Sequence, residues 1–196
     1  DLAYDSYGNV SSETVTPVGQ PARITSYTWG ENGRLLITRT NAEGHVERLA
    51  WDSATGLPMT STDPNGLVTS MQYDGFGRLT RQTRPAGTST VISRATCGTN
   101  CVWSSAAYSV SVMQLGVGEV PIVFAETGYD REGREVYRRS ELPGGGQNFQ
   151  VLRYDARGRL AQQSIPSSCC GSPVRWITFA YDILDRRVSV EHPTSE

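Results

Sequence analysis

The sequence predicts an all-β protein, with antiparallel β-hairpin repeats forming a continuous curved or spiralling sheet. Three observations carry that prediction. An aromatic–Asp dipeptide recurs along the chain, turn signals follow one another at a constant step through its first part, and no stretch has a convincing helical period. Composition agrees. Of 196 residues, 37% are hydrophobic and 19% charged, while Gly and Pro number 20 and 10. The apolar share lies below the roughly 45–50% of an ordinary globular domain. A thin core and frequent turns are therefore expected.

The dipeptide opens a short motif. Tyr4-Asp5, Trp51-Asp52, Tyr73-Asp74, Tyr129-Asp130, Tyr154-Asp155 and Tyr181-Asp182 share it, and most continue into a glycine, then a polar residue or arginine, then an aliphatic. The fullest copies run Tyr73-Asp74-Gly75-Phe76-Gly77-Arg78-Leu79 and Tyr154-Asp155-Ala156-Arg157-Gly158-Arg159-Leu160. Gly8, Gly56 and Gly133-Arg134 hold the matching places in other copies, and Trp29-Gly30-Glu31-Asn32-Gly33-Arg34-Leu35 is a copy that lacks the Asp. Asp at the first turn position and Gly at the fourth mark a type I turn ending in a left-handed residue. That geometry closes a hairpin with a glycine bulge. Asp74 then faces Arg78, and Tyr73 pairs with Leu79 across the strands. Such cross-strand pairs contribute about 0.2–1 kcal/mol each, so one copy is unstable and a stack can hold.

A second set of turn signals lies midway, at Asn41-Ala42-Glu43-Gly44 and Asp63-Pro64-Asn65-Gly66, so turns start at 30, 41, 52, 63 and 74. Later starts fall at 130, 143, 155, 168 and 182. About seven residues separate successive turns, a usual strand length. Alternation supports strands, with Ile177, Phe179 and Tyr181 on one face and Trp176, Thr178 and Ala180 on the other. The result is a meander with the aromatic–Asp turns along one rim and the second set along the other. Between 74 and 129, the loop Cys97-Gly98-Thr99-Asn100-Cys101 stands in for a missing aromatic–Asp turn, and Gly116-Val117-Gly118 serves the opposite rim. On this reading residues 1–196 form a single array of about eight repeats, each of roughly 22–31 residues, with no separate second domain.

The string Y-D-x-x-G-R-L at this spacing resembles the YD-repeat, or rearrangement-hotspot (RHS), family over essentially the whole chain. The resemblance implies a long β-sheet spiralling into a hollow shell. Family members are large, bacterial, and secreted or surface-exposed, with teneurins as animal relatives. In insecticidal toxin complexes and polymorphic toxins the shell encloses a C-terminal toxin domain. The expected role is therefore a non-catalytic wall segment, partnered by neighbouring repeats and an enclosed toxin domain, without cofactor or metal. The chain opens on Asp1 without a signal-like segment and has room for only part of a shell, so it reads as a piece of something longer. Three copies depart from the pattern: Gly30 replaces the Asp, Glu135 takes the aliphatic slot and Asp185 takes the turn glycine. Val136 and Val188 are the residues placed to supply the missing apolar contact.

Rival chemistries leave weaker signals. All 18 basic residues are arginine, and 20 acidic residues leave a net charge of -2, so the basic excess of a nucleic-acid-binding face is absent. No apolar run approaches the 18 or so residues of a membrane helix. Asp63-Pro64-Asn65-Gly66-Leu67 matches the string that accompanies self-cleavage at the end of family shells, which makes Asp63 a candidate autoprotease residue. Its phase within the 11-residue step reads instead as a turn. Secretion, implied by the resemblance, favours disulfides among the four cysteines. Cys97 and Cys101 flank a loop that brings opposed strands to about 4.5–5.5 Å, within bridging range. Cys169 and Cys170 are adjacent and strained as a pair. A four-cysteine zinc site would need both pairs on one rim, and the strand count puts them on opposite rims. His45 and His192 are expected to be solvated turn and tail residues. Exposed Trp29, Trp51, Trp103 and Trp176 suggest a carbohydrate-binding surface as the alternative function. An excised sheet also leaves two unpaired edges, which predicts closure toward a barrel or association through an edge.

Overall fold

The computed structural model describes residues 1–30, 32–97, 105–142, 145–168 and 175–193. Among these residues the chain is almost wholly strand and turn, with sixteen strands whose order in one open antiparallel sheet follows the chain. They are β1 (Leu2–Tyr4), β2 (Val10–Val15), β3 (Arg23–Gly30), β4 (Leu35–Thr40), β5 (Val46–Trp51), β6 (Pro58–Thr62), β7 (Val68–Tyr73) and β8 (Leu79–Thr83). The series continues with β9 (Ser89–Thr96), β10 (Tyr108–Leu115), β11 (Pro121–Tyr129), β12 (Glu135–Glu141), β13 (Gln147–Tyr154), β14 (Leu160–Ser164), β15 (Trp176–Tyr181) and β16 (Arg187–Glu191). One 3-10 turn, Val117–Glu119, joins β10 to β11. No helix among the described residues is long and apolar enough to cross a membrane.

Local chemistry accounts for the turns. At the Asp74 hairpin the Gly77 N–H donates to the Asp74 carbonyl at 2.9 Å and the Asp74 N–H to the Arg78 carbonyl at 3.0 Å. Gly77 sits at φ 76°, left-handed backbone that a side chain rarely adopts. The register slips between Gln72 and Tyr73, leaving Tyr73 opposite Leu79. The same pattern recurs at Tyr154 and Leu160.

Two turns escaped the sequence reading. Pro17–Gln20 joins β2 to β3, and Arg84–Gly87 joins β8 to β9, with the Gly87 N–H donating to the Arg84 carbonyl at 2.9 Å. Neither starts on Asn or Asp, the residue types used to find the second row. Arg84-Pro85-Ala86-Gly87 forms because Pro presets the second turn position and Gly tolerates the left-handed fourth. The turn placed at 143 starts one residue earlier, where the Gly145 N–H donates to Leu142. The turn expected from 168 lies almost entirely outside the described residues.

Backbone contacts divide the chain into two compact units, Asp1–Thr90 with Val117–Glu119, and Val91–Gly116 with Val120–Glu196. Among its described residues the first unit has no buried apolar side chain; Ser89 is its one buried residue. The second unit holds the core: Ala106, Leu115, Val136, Tyr137, Phe149, Val151 and Leu152. Val136 and Tyr137 are consecutive strand residues, so their side chains leave opposite faces, and both are buried. Val136 thus fills the apolar role next to Glu135. Val188 does not fill it next to Arg187: it is 62% exposed among the described residues.

Candidate functional site: the row of aromatic–aspartate turns

Each aspartate of the row is committed to its own turn. The Asp74 Oδ1 accepts the N–H groups of Phe76 and Arg78, both at 3.0 Å, and its Oδ2 accepts the Arg78 Nε at 2.7 Å. Asp130, Asp155 and Asp182 repeat this arrangement, each receiving its arginine Nε, from Arg134, Arg159 and Arg186, at 2.7 Å. In the first copy Asn9 replaces the arginine, and Asp5 takes the N–H groups of Tyr7 and Asn9. Asp52 instead receives the backbone and hydroxyl of Thr55, both at 2.8 Å.

These bonds favour the ionised form. The backbone N–H four residues later, Arg78 for Asp74, Arg159 for Asp155 and Arg186 for Asp182, does most to hold each carboxyl below its usual 3.8. For Asp52 the Thr55 N–H does so. At Asp130, burial opposes ionisation, and the Arg134 backbone and guanidinium outweigh it.

The motif also ties each copy to the next. The Arg134 guanidinium lies 4.8 Å from the centre of the Tyr154 ring, and Arg159 lies 4.7 Å from that of Tyr181. The polar ends of four of the row's aromatics bond back to the preceding hairpin. Trp29 Nε1 donates to the Val10 carbonyl at 2.9 Å, Trp51 Nε1 to Leu36 at 2.7 Å, Tyr73 Oη to Pro58 at 2.9 Å and Tyr181 Oη to Leu160 at 2.9 Å. The accepting carbonyl always lies just past the preceding turn. Sequence reasoning had placed the aromatic in a pair within one hairpin and missed this bond between hairpins. Four recurrences of an amphipathic aromatic at one position are the signal that could have revealed it.

The departures from the pattern have local causes. A Cβ at Gly30 would lie 2.9 Å from Ile37 Cγ1, so Ile37 packs over the place where the Asp side chain would start. Gly33 combines φ +82° with a would-be Cβ contact of 2.7 Å to Tyr7. Asp185 takes the left-handed glycine place at φ 61°, and its Oδ1 accepts from Arg159 NH1 at 2.5 Å and Arg157 NH1 at 3.4 Å.

The rival chemistry fares differently. Asp63 Oδ1 accepts the N–H groups of Asn65 and Leu67, each at 2.9 Å, the same cap that Asp74 makes. The tryptophans are not the free platforms expected. Trp29 and Trp51 are half-buried, with their indole N–H groups bonded, and Trp176 is half-buried with Arg153 stacked 4.2 Å from its ring centre. They are drawn in because a strand aromatic here bridges hairpins. Trp103, Cys101, Cys169 and Cys170 lie outside the described residues. Cys97 is disulfide-bonded. His45 is exposed beside Glu43 at 3.4 Å, and His192 is exposed. Among the described residues no three His, Cys, Asp or Glu side chains gather to hold a metal ion.

One cluster off the row was invisible in the sequence. The Tyr137 ring lies over Gly128, its hydroxyl donating to Glu126 Oε1 at 3.0 Å, and Glu126 Oε2 stands 2.7 Å from Arg139 NH2.

A sheet of hairpins joined by one recurring turn-and-rung motif, with every aspartate of the row engaged structurally, defines a β-hairpin repeat protein. Residues 51–89 match the family model of the RHS repeat. The chain is similar to the crystal structure of TcdB2–TccC3 without the hypervariable C-terminal region, at 14% identity over 95% of this chain and 12% of that one, with a TM-score of 0.49. It is also similar to the Tc holotoxin pore of Photorhabdus luminescens, at 13% identity over 95% of this chain and 12% of that one, with a TM-score of 0.46. The chain thus spans about an eighth of those chains.

Proposed function

We propose that this chain is a non-catalytic wall segment of a secreted bacterial RHS-repeat protein, and that residues 1–196 act as one array of about eight hairpins enclosing or presenting a toxin domain. One observation carries the reading. The Asp, Arg and aromatic side chains of the motif are bonded to one another within and between hairpins, so the repeated residues build wall. The RHS-repeat match at residues 51–89 supports a repeat-built parent.

The test uses the full-length parent protein with residues 51–89 deleted, and limited proteolysis of the segment that follows the repeats. A wall segment predicts that the segment, protected in the intact protein, becomes cleavable on deletion. Unchanged protection, or a segment equally cleavable in both proteins, would refute an enclosing role.

A further inference from the structure

One copy of the row keeps the aspartate and the following tyrosine but not the arginine that joins them elsewhere. At Asp130 and Asp155 the residue whose carbonyl accepts the aspartate N–H, at 2.9 Å, is also the arginine that bonds Oδ2, namely Arg134 and Arg159. At Asp52 that place belongs to Leu57, whose carbonyl accepts the Asp52 N–H at 2.9 Å. The donors to this carboxylate, the N–H groups of Ala54 and Thr55 and the Thr55 hydroxyl, all fall on Oδ1. Among the described residues none reaches its Oδ2, the oxygen that takes Asn9 Nδ2 at Asp5 and an arginine Nε at Asp74, Asp130, Asp155 and Asp182.

Leu57 follows the course of those arginines and ends sooner. A Cβ at Gly158 would lie 3.3 Å from Arg134 NH1, and a Cβ at Gly77, the matching glycine for Leu57, would lie 3.5 Å from Leu57 Cδ1. An arginine continues past that carbon into Nε and a planar guanidinium. In the Arg134 and Arg159 copies this group lies over the next copy's tyrosine, 4.8 and 4.7 Å from the ring centre. Here the next tyrosine is Tyr73; no arginine of the described residues lies over it, and Arg78 lies over Phe76 instead. A groove of 810 Å³ opens at this point, lined in part by Asp52, Leu57, Met59, Met71, Tyr73 and Phe76. A carboxylate matches the fork of a guanidinium, aromatic rings match its flat face, and methionine and leucine side chains suit an aliphatic stem.

We propose that this groove binds an arginine side chain presented by a partner protein, with the guanidinium on Asp52 Oδ2 and against Tyr73 and the methylenes along Met59 and Met71. An arginine fits better than a bare cation because apolar walls accompany the carboxylate, and because arginines of this chain fill the equivalent places. The site goes beyond the wall-building role, which needs no such ligand, and it stands whether or not the wall encloses a toxin.

NMR of the methionine methyl groups in the whole chain tests it. Met59 and Met71 line the groove, while Met113, the third methionine, lies on β10 and serves as internal control. Titration with acetyl-Gly-Arg-Gly-amide should move the Met59 and Met71 signals saturably and leave Met113 in place. Acetyl-Gly-Lys-Gly-amide should bind about tenfold more weakly, because an ammonium lacks the planar fork. Asp52→Asn keeps the Oδ1 acceptor that holds the turn and removes the charge; it should weaken the arginine peptide about tenfold. Leu57→Arg supplies the guanidinium from within the chain and should abolish the shifts. Unsaturable or absent shifts at Met59 and Met71, equal movement of Met113, equal affinity for the two peptides, or unchanged affinity in either variant would overturn the site. Binding of methylguanidinium without binding of the arginine peptide would overturn the partner arginine and leave a free guanidinium compound as the ligand.

Discussion

Gly128→Ala is the substitution for which the structure assigns the largest consequence to the smallest change. A Cβ at this position would lie 2.0 Å from Tyr137 Cε1, 2.4 Å from Cδ1 and 2.6 Å from Cζ. Ordinary carbon contacts are about 3.5–4.0 Å, so the ring must retreat by about 1.5 Å. It has no room to do so, since Tyr137 is 0% exposed and packs against Phe149 with ring centres 5.7 Å apart. Overpacking of this kind costs about 1–3 kcal/mol. Retreat also stretches the 3.0 Å bond to Glu126, and a hydrogen bond to a charged group contributes about 1.5–3 kcal/mol. The two costs share one displacement and do not simply add; about 3 kcal/mol is expected. Urea unfolding followed by tryptophan fluorescence measures it, because Trp176 packs against this core. A double-mutant cycle isolates the cause. Tyr137→Ala alone should cost about 3–5 kcal/mol, and in that background Gly128→Ala should cost less than about 1 kcal/mol. A loss below about 1 kcal/mol for Gly128→Ala in the natural chain, or additive losses, would refute the reasoning.

Further outcomes follow from the same contacts. Burial, helped by Glu126, raises the Tyr137 hydroxyl from 10.0 to about 12. The unfolded chain therefore ionises first; stability is full below pH 10, falls between pH 10 and 12, and the fall is abolished by Tyr137→Phe in alkaline unfolding curves. The lowered carboxyls of Asp74, Asp155 and Asp182 act with the opposite sign. Their contribution is present above 3.8 and lost as pH falls through the depressed native values, so an Asp74→Asn/Asp155→Asn/Asp182→Asn variant should flatten the acid limb of a stability–pH profile. Tyr181→Phe removes the bond to Leu160 and should cost about 1 kcal/mol in urea unfolding, while Tyr129→Phe, whose hydroxyl has no acceptor among the described residues, should cost roughly nothing.

How much was legible can be seen residue by residue. The Asp74–Arg78 pair, the Gly77 bulge and the Tyr73–Leu79 register follow from seven consecutive residues, because the physics of a tight turn is local. Asp63 was readable as a turn for the same reason. The bond from Tyr181 to Leu160 spans 21 residues and depends on how hairpins stack, so no local pattern encodes it. Nothing in the sequence singled out Gly128. Its role becomes visible only once β11 and β12 pair and place it opposite Tyr137. The tryptophans were misjudged because composition counts them without saying which surface they meet.

Asp185 tests whether a departure from the motif is a defect or a different solution. At φ 61° an L-residue costs about 1 kcal/mol relative to glycine. Against that, its carboxylate receives both Arg157 and Arg159, tying the turn of one hairpin to that of the one before. The carboxylate is 60% exposed, so salt screens this attraction, whereas the backbone cost does not depend on salt. Asp185→Gly should therefore change stability little at low ionic strength and stabilise by up to about 1 kcal/mol at 1 M salt. Asp185→Asn keeps a residue that tolerates the left-handed backbone but lacks the charge; it should lose stability at low salt and match the natural chain at high salt. Urea unfolding of the three chains at both salt concentrations decides the matter. If Asp185→Gly loses equal stability in both, the ion pairs are not what the aspartate contributes, and its place in the turn needs another cause.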